Sequence, residues 1–477
     1  MGLKKNFLYS GTLTCANYIF PMLTYPYVAR VLGVENIGIC NFADAVISYF
    51  LLFSSMGIKS VGIREIAKAK GDQDRLNRVY GGLFTLVLIS TCVAVLVLLV
   101  ATNSVEKLYV HKELMYVGAL RLFCDLFQVE WLFKGLEEFK YITIRSLIVK
   151  CFYVASVFVF VREAGDYPLY FALYTMMVLC NAAINFVHSR KFVRLKWENL
   201  KIKSYIKPFF SLGMYMLLTS MYTSFNVAFL GFAGGEKQVG FYTTATKLYA
   251  IILSLYTAFT GVMLPRMSSL IENKEKDKFD DAINKSQHIL FSFSIPIILF
   301  AIVFAPDIIR VVAGSGYEGA IKPMRIVIPL LVICGYEQIQ VIQILMPMKQ
   351  DKLILRNSII GAVCGISLNL LIVPHLYSVG SAIVWLCSEI VVLLCSQFAL
   401  SQKFKIFFPL KKMMLELITF FPMMFGFVIL KLYVHESVWC VLSGGCLGIA
   451  YFGLVKIALM KDTLFLHLLP KKIRPDL

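Results

Sequence analysis

Residues 25–46 read YPYVARVLGVENIGICNFADAV. Two apolar runs meet in this stretch, separated only by Arg30, Gly33 and a few polar positions. About 20 apolar residues suffice to cross a bilayer, so the pattern is of two spanning helices joined by a very short turn. The second half recurs. Sliding the chain on itself by 202 residues lays VENIGICNFADAV (34–46) over EKQVGFYTTATKL (236–248) and pairs Gly33 with Gly235, Gly38 with Gly240 and Ala43 with Ala245. The same shift pairs Lys5 with Lys207, Phe7 with Phe209, Gly11 with Gly213 and Arg64 with Arg266, without a gap. A fixed register of this kind marks an internal repeat. Each copy opens a block of six helices. Six is even, so both blocks run in the same direction and their pseudo-twofold axis lies along the membrane normal.

The whole chain agrees with a bilayer as solvent. Of its 477 residues 58% are hydrophobic and only 16% charged, with a mean hydropathy of +0.74. A net charge of +18 does not point to nucleic acid, because the basic residues punctuate apolar runs instead of forming one basic domain. Apolar runs fall at about 7–31, 37–60, 81–101, 115–133, 142–161, 168–188, 208–232, 238–264, 288–305, 322–346, 357–373, 379–400, 414–433 and 438–459. The fold class expected is therefore an all-α polytopic membrane protein of about 14 transmembrane helices. It comprises two pseudo-twofold six-helix lobes, 1–200 and 201–412, and two C-terminal helices with a tail, 413–477. Lys and Arg gather in alternate connections: Lys4 and Lys5, 64–78, Lys134 and Lys140, 189–207, 266–287, 347–356, 401–412 and the tail after Met460. The opposite connections offer only Lys107, Lys112, Arg162, Lys237, Arg310 and Lys322. Both termini are thus expected in the cytoplasm. The start MGLKKNFLYSGTLTC shows no short apolar region with a cleavage site, and a retained first helix is expected. The twelve cysteines all fall in apolar runs, none in a CxxC pair, and are expected to be small buried hydrophobes.

Ionisable residues inside such runs cost about 2.5–3.5 kcal/mol each at mid-membrane, so each needs a reason. Asn41 and Asp44 share one face of the second helix, with Asp44 about 10 Å below its outer end. The repeat places Thr246 opposite Asp44, with Lys247 beside it, so Asp44 and Lys247 are expected at similar depth on facing helices. Arg30 either snorkels to the interface, meets Glu35, or lines a cavity with Asn17, where Pro21 and Pro26 permit bends. In the fourth run Arg121, Asp125 and Gln128 share a face, either as an Arg121–Asp125 pair or as cavity lining. Glu130 is read as a structural partner of Lys134, with Trp131 an interfacial aromatic anchor. Glu337, Gln340 and Gln343 make a polar stripe, read as sugar-binding amides or as interhelical hydrogen bonds. Glu389 is an isolated mid-membrane acid. GIREIAKAKGDQDRLNRVYGG (62–82) reads as a solvated or interface-lying helical loop. No nucleotide-binding loop, metal motif or nucleophile–base constellation is present, so no cofactor, no resident metal and no enzymatic chemistry are expected.

NYIFPMLTYPYVARVLGVENIGICNFADAVISYF (17–50), GIREIAKAK (62–70) and EWLFKGLEEFKYITIRS (130–146) resemble the Wzx-type O-antigen and repeat-unit flippases. These are polysaccharide transporters of the multidrug/oligosaccharidyl-lipid/polysaccharide exporter superfamily. The resemblance implies alternating-access transfer of an undecaprenyl-diphosphate-linked oligosaccharide from the cytoplasmic to the periplasmic leaflet of the bacterial inner membrane. It also implies a cationic cavity in which Arg30, Arg121 and Lys247 hold the diphosphate-sugar head, since Arg stays charged and binds phosphate bidentately. Asp44, Glu337 and Glu389 would balance charge or couple H+ or Na+ movement. A polysaccharide polymerase and a chain-length regulator are candidate partners. The alternatives are a cation-coupled multidrug exporter or a peptidoglycan-precursor flippase of the same superfamily. A membrane polymerase would need a long periplasmic loop, which is not found.

Overall fold

The computed structural model describes residues 3–195, 202–223, 225–460 and 462. The basic stretch at 196–201, most of the tail after Met460 and the side chains of Lys4, Lys5 and Cys15 lie outside the described residues. Within them no strand occurs, and the fourteen apolar runs map onto helices. Nine helices among the described residues are long and apolar enough to cross a membrane, or ten if the bent pair Glu318–Val327 and Leu330–Leu345 forms one span. Two of the nine carry two runs each. The chain forms two compact units, one of residues 1–244 and 355–388 and one of 245–354 and 389–477. Their boundaries differ from those of the sequence lobes, which stay an organisation proposed from the repeat.

In the first unit, α1 (Leu3–Ser55) holds the first two runs and breaks at Gly33, where φ is 77° and ψ 170°. Side chains with a Cβ rarely adopt that φ, so glycine sets the corner. After α2 (Ile58–Ala69), α3 (Gln73–Ser104), α4 (Glu106–Val110), α5 (Lys112–Asp125), α6 (Glu130–Gly135), α7 (Phe139–Phe160) and α8 (Tyr167–Ser189) come α9 (Ile202–Thr223) and α10 (Phe225–Gly234). Gly235, the repeat partner of Gly33, then makes the same kind of corner with φ 80° before α11 (Glu236–Glu272).

The repeat register is visible in contacts as well as in letters. A Cβ built on Gly38 would lie 1.8 Å from the carbonyl oxygen of Glu236, and one on Gly240 would lie 2.1 Å from that of Val34. Val34 and Glu236 are repeat partners, so the two contacts are images of each other, as a twofold axis requires. Asn41 Nδ2 donates to Thr243 Oγ1 at 2.9 Å, again across 202 residues. The carboxamides of Asn36 and Gln238, also repeat partners, each reach a distant turn: Asn36 donates to the Ala164 carbonyl at 2.8 Å, and Gln238 accepts from the Ser378 hydroxyl at 2.6 Å. Tyr25 and Thr244 share a buried hydroxyl hydrogen bond of 2.6 Å, and Tyr27 donates to the Val161 carbonyl at 2.7 Å. The tyrosines of the YPYVAR stretch therefore fasten the corner.

The other two family-like stretches pack on each other. Gly62 of α2 receives the Trp131 ring of α6, and Gly135 of α6 receives Ile66 of α2. Trp131 stacks on Tyr80 with centroids 5.6 Å apart. One sequence expectation changes here. Trp131 is a core residue, not an interfacial anchor, because a glycine opposite it leaves room for an indole. The 62–82 stretch is helical and two-faced: α2 buries Val61, Gly62, Ile66 and Ala69, while Arg64, Lys68 and residues 70–75 are exposed. Lys70 bonds Glu137 at 2.9 Å and holds that exposed carboxyl below its usual range. Cys40, Cys124, Cys334 and Cys440 are buried as expected, whereas Cys92, Cys151 and Cys446 are exposed on helix surfaces, where an apolar solvent accepts a thiol.

The second unit holds α12 (Lys276–Val303), α13 (Ala305–Ala313), α14 (Ile321–Val327), α15 (Leu330–Gln338), the ends of α16 (Asp351–Phe404), α17 (Leu410–Tyr433) and α18 (Ser437–Phe452). The helix α17 and the π-helical turn Gly453–Leu459 that continues α18 are tied to α12 by buried charge. Lys456, fully buried, donates to Glu416 at 2.5 Å, and Glu416 also accepts from Ser292 at 3.0 Å. His288 Nδ1 lies 3.3 Å from the same carboxylate.

Substituting valine at Gly38 or Gly240 is expected to destabilise the protein by a similar amount at each, about 1–3 kcal/mol or more. Gly261→Ala, with nothing within 4 Å of the added carbon, is expected to be near neutral. Thermal unfolding in detergent measures all three, and a tolerant Gly240 beside an intolerant Gly38 contradicts the reciprocal contact.

Candidate functional site

The charges of the first unit's membrane helices form a pattern that local sequence does not give. Arg121 donates to Asp44 at 2.7 Å, and Asp125, four residues from Arg121, accepts instead from Gln128 at 2.7 Å. The intrahelical Arg121–Asp125 pair is thus replaced by a pair between α5 and α1. The cause is local: α5 ends at Asp125, a single 3₁₀ turn covers Leu126–Gln128, and Val129 takes φ 36°, so the helical face assumed through Gln128 does not continue. Arg121 has 3% of its side chain exposed and Asp44 has 49%. The guanidinium is therefore seated behind a carboxylate that is open on its other side. Tyr174 and Phe171 of α8 lie against it, with ring centroids 5.2 and 5.7 Å from its Cζ, and Tyr153 meets Tyr174 edge-on. Arg121 Nε is buried without a hydrogen-bond partner.

Two further cations were missed by sequence reading. Arg145 of α7 is buried, donates to Asn181 at 2.6 Å and to Glu130 at 3.0 Å, and its Nε also has no partner. Glu130 pairs with Lys134 at 3.1 Å, as expected, but shares its other oxygen with Arg145. Arg145 borders a cavity of about 520 Å3 with Lys140, Tyr141 and His188. Lys150, one turn beyond, bonds Asn17 of α1. The signal was available: ITIRSLIVKC places two lone cations inside an apolar run, the same signature that singled out Arg121. Arg30 is exposed and Asn41 is held by Thr243.

The second unit carries acids. The ligand atoms of Cys334, Glu337 and Glu389 lie within 4.8 Å of one another, with Cys334 and Glu389 buried. Two carboxylates this close in an apolar setting require a proton or a cation between them. Beside them, Gln338 accepts from Thr260 and donates to Thr257 at 2.9 and 3.0 Å. Gln340 is fully buried and donates to Gln397 at 3.0 Å, so it serves an interhelical bond in this conformation. A π-helical turn over Ile339–Leu345 turns both Gln340 and Gln343 inward. Lys247 is half-buried in this unit.

A family model described as polysaccharide biosynthesis protein matches residues 3–271, more than half of the chain. The chain belongs to that family. A second model, MatE, matches residues 211–371. A protein of Escherichia coli (strain K12) named "Putative O-antigen transporter" is 24% identical over 396 residues, which is 82% of this chain and 95% of that relative. The structure of the lipid II flippase MurJ in an inward closed conformation has a TM-score of 0.76 at 15% identity, covering 96% of this chain and 99% of that one. An inward-facing multidrug resistance MATE family transporter of the MOP superfamily has a TM-score of 0.60 at 14% identity, covering 84% and 96%. The chain accordingly shares the fold of these two solved structures, and the family membership agrees with the resemblance carried by the YPYVAR and EWLFKG stretches.

The Arg121–Asp44 pair is expected to respond unequally to substitution. Asp44→Ala strands a buried guanidinium and should cost about 3–5 kcal/mol. Arg121→Met leaves a carboxylate that water already reaches and should cost less, about 1–3 kcal/mol. Unfolding of the two variants and of the double variant in one detergent compares them, and a larger cost for Arg121→Met contradicts the assignment of the guanidinium as the dependent group.

Proposed function

We propose that this chain flips undecaprenyl-diphosphate-linked oligosaccharide repeat units from the cytoplasmic to the periplasmic leaflet by alternating access, for O-antigen or another surface polysaccharide. Both termini would lie in the cytoplasm of a bacterial inner membrane. The observation that carries the reading is the pair of buried guanidinium groups, Arg121 and Arg145, each with an Nε–H that no acceptor meets. Buried donors without acceptors are rare and call for a ligand or a partner state. A diphosphate supplies acceptors in the geometry a guanidinium matches, and the tyrosine and phenylalanine rings around Arg121 suit the apolar faces of sugar rings. Membership of a polysaccharide biosynthesis family and the relative's O-antigen name support the same substrate class.

In this mechanism Arg121, Arg145 and Lys150 hold the anionic head, with Arg30 and Lys247 as further contacts and Asn41, Asp44, Asp125 and Gln340 shaping the polar lining. Glu337 and Glu389 carry the coupling ion, H+ or Na+, because their mutual repulsion makes binding of one cation the condition for both to remain in place. No covalent chemistry is involved. The lipid tail stays in the bilayer, so the head alone meets the cationic groups. A peptidoglycan-precursor flippase is the second reading, favoured by the close fold likeness to MurJ.

Deleting the gene is expected to trap intact lipid-linked repeat units on the cytoplasmic face, read by lipid extraction with a leaflet-specific probe. Restoring the chain with Arg121→Gln and Arg145→Gln together should leave the units trapped, while Lys278→Gln should release them. Normal delivery after deletion, in cells lacking a redundant flippase, rejects the proposal. Rescue of cells depleted of their peptidoglycan-precursor flippase moves the substrate to the second reading. Glu337→Gln and Glu389→Gln are each expected to abolish the dependence of flipping on the ion gradient, measured in vesicles with imposed H+ or Na+ gradients.

A further inference from the structure

In the second unit, the ends of α11, α12, α16 and α17 border an open cavity of about 860 Å3. Four lysines line it, Lys274, Lys276, Lys405 and Lys412, with one aspartate, Asp280. Asn284 and Gln287 add two amides, and the rest of the wall is apolar, with Phe279, Ile283, Phe404, Phe407 and Phe408. The wall is built, not draped. Lys405 closes α16 in the left-handed region with φ 55°, and its N–H bonds the Leu400 carbonyl. Residues 405–409 then run without helix to Leu410. Gln397 Nε2 donates to the Ile406 carbonyl at 2.9 Å, and Gln397 Oε1 accepts from Tyr336 at 3.1 Å. The Tyr336 ring meets Phe408 edge-on at 4.8 Å. On the opposite side, Lys412 Nζ donates to Asn284 Oδ1 at 2.6 Å, and Lys274 sits in a fixed turn with φ 58°.

A pocket with this lining serves neither a sugar nor a soluble anion well. A free phosphate uses the lysines and leaves the phenylalanines wet, whereas an apolar guest strands the lysines. A lipid with a phosphate head satisfies both walls. The connections that form the pocket, 266–287 and 401–412, belong to the Lys- and Arg-rich set, and basic pockets at that level of a membrane protein attract anionic head groups. Phe407, 70% exposed, and Leu410, 56% exposed, extend the apolar wall outward from the pocket. We propose that this cavity binds a lipid carrying an anionic phosphate headgroup, with the phosphate among Lys274, Lys405 and Lys412 and the first part of the chain against Phe404, Phe407 and Phe408. None of the lining residues is among the groups assigned to transport, although Gln397 links the wall at Ile406 to Gln340, and the proposal does not depend on the flippase reading.

The test is native mass spectrometry of the purified full chain, incubated separately with phosphatidylglycerol, a polyprenyl diphosphate, phosphatidylcholine and inorganic diphosphate. Retention of the anionic phosphate lipids over phosphatidylcholine is expected, falling about fivefold for each lysine removed in Lys405→Gln and Lys412→Gln. Lys278→Gln, whose lysine lies outside the lining, should retain lipid as the unaltered chain does. Phe407→Ala, at an exposed position that tolerates truncation, should lose lipid without a change in melting temperature. Preference for phosphatidylglycerol identifies a membrane lipid, and preference for the polyprenyl diphosphate identifies a carrier lipid. Either supports the site. Equal retention of phosphatidylcholine, unchanged retention in the double lysine variant, or inorganic diphosphate bound as tightly as the lipids overturns it.

Discussion

Helices in a bilayer gain nothing by hiding apolar side chains from a solvent that is equally apolar, so they adhere where their backbones can approach. The contact of α1 with α11 depends on that rule. Gly38 lets the Glu236 carbonyl come close, and Gly240 does the same for Val34. Once those two backbones touch, Asn41 must meet Thr243, and Tyr25 must meet Thr244. Asp44, one turn further along α1, is then carried to where Arg121 can reach it. The polar chemistry of the first unit thus hangs on two positions without side chains.

Each unit carries its own cluster of charge. Guanidinium and ammonium groups occupy the membrane helices of the first, at Arg121, Arg145 and Lys150, where aromatic rings and amides accompany them. Paired carboxyl groups occupy the second, at Glu337 and Glu389, beside a thiol and a set of glutamines.

The apolar runs, the two glycine corners and the register of the repeat were all readable in the letters, because spanning length and a constant spacing survive without knowledge of contacts. Asp44, Arg121 and the acids of α15 and α16 were readable as costly charges. Their partners were not. Arg121 passes over Asp125, four residues away, for Asp44, 77 residues away, since α5 stops at Asp125 and a tighter turn redirects Leu126–Gln128. Trp131 reads as an interfacial anchor until Gly62 is seen to make room for it. Lys456 and Glu416 gave no warning at all: each is a single charge near the end of an apolar run, the ordinary place for a residue that reaches water, yet they close on each other in the interior.

The hydrogen bond between Asn41 and Thr243 has one more consequence. In a dimer of identical chains, a residue beside the twofold axis faces its own copy, and any substitution there is made twice. Joining the copies into one polypeptide removes that restriction. Position 41 holds an amide and position 243 a hydroxyl, so a longer donor meets a shorter acceptor and the contact differs on its two sides. Three residues on, the same freedom leaves an aspartate in one copy and a threonine, Thr246, in the other. A repeated backbone frame thus carries an acid on one side only.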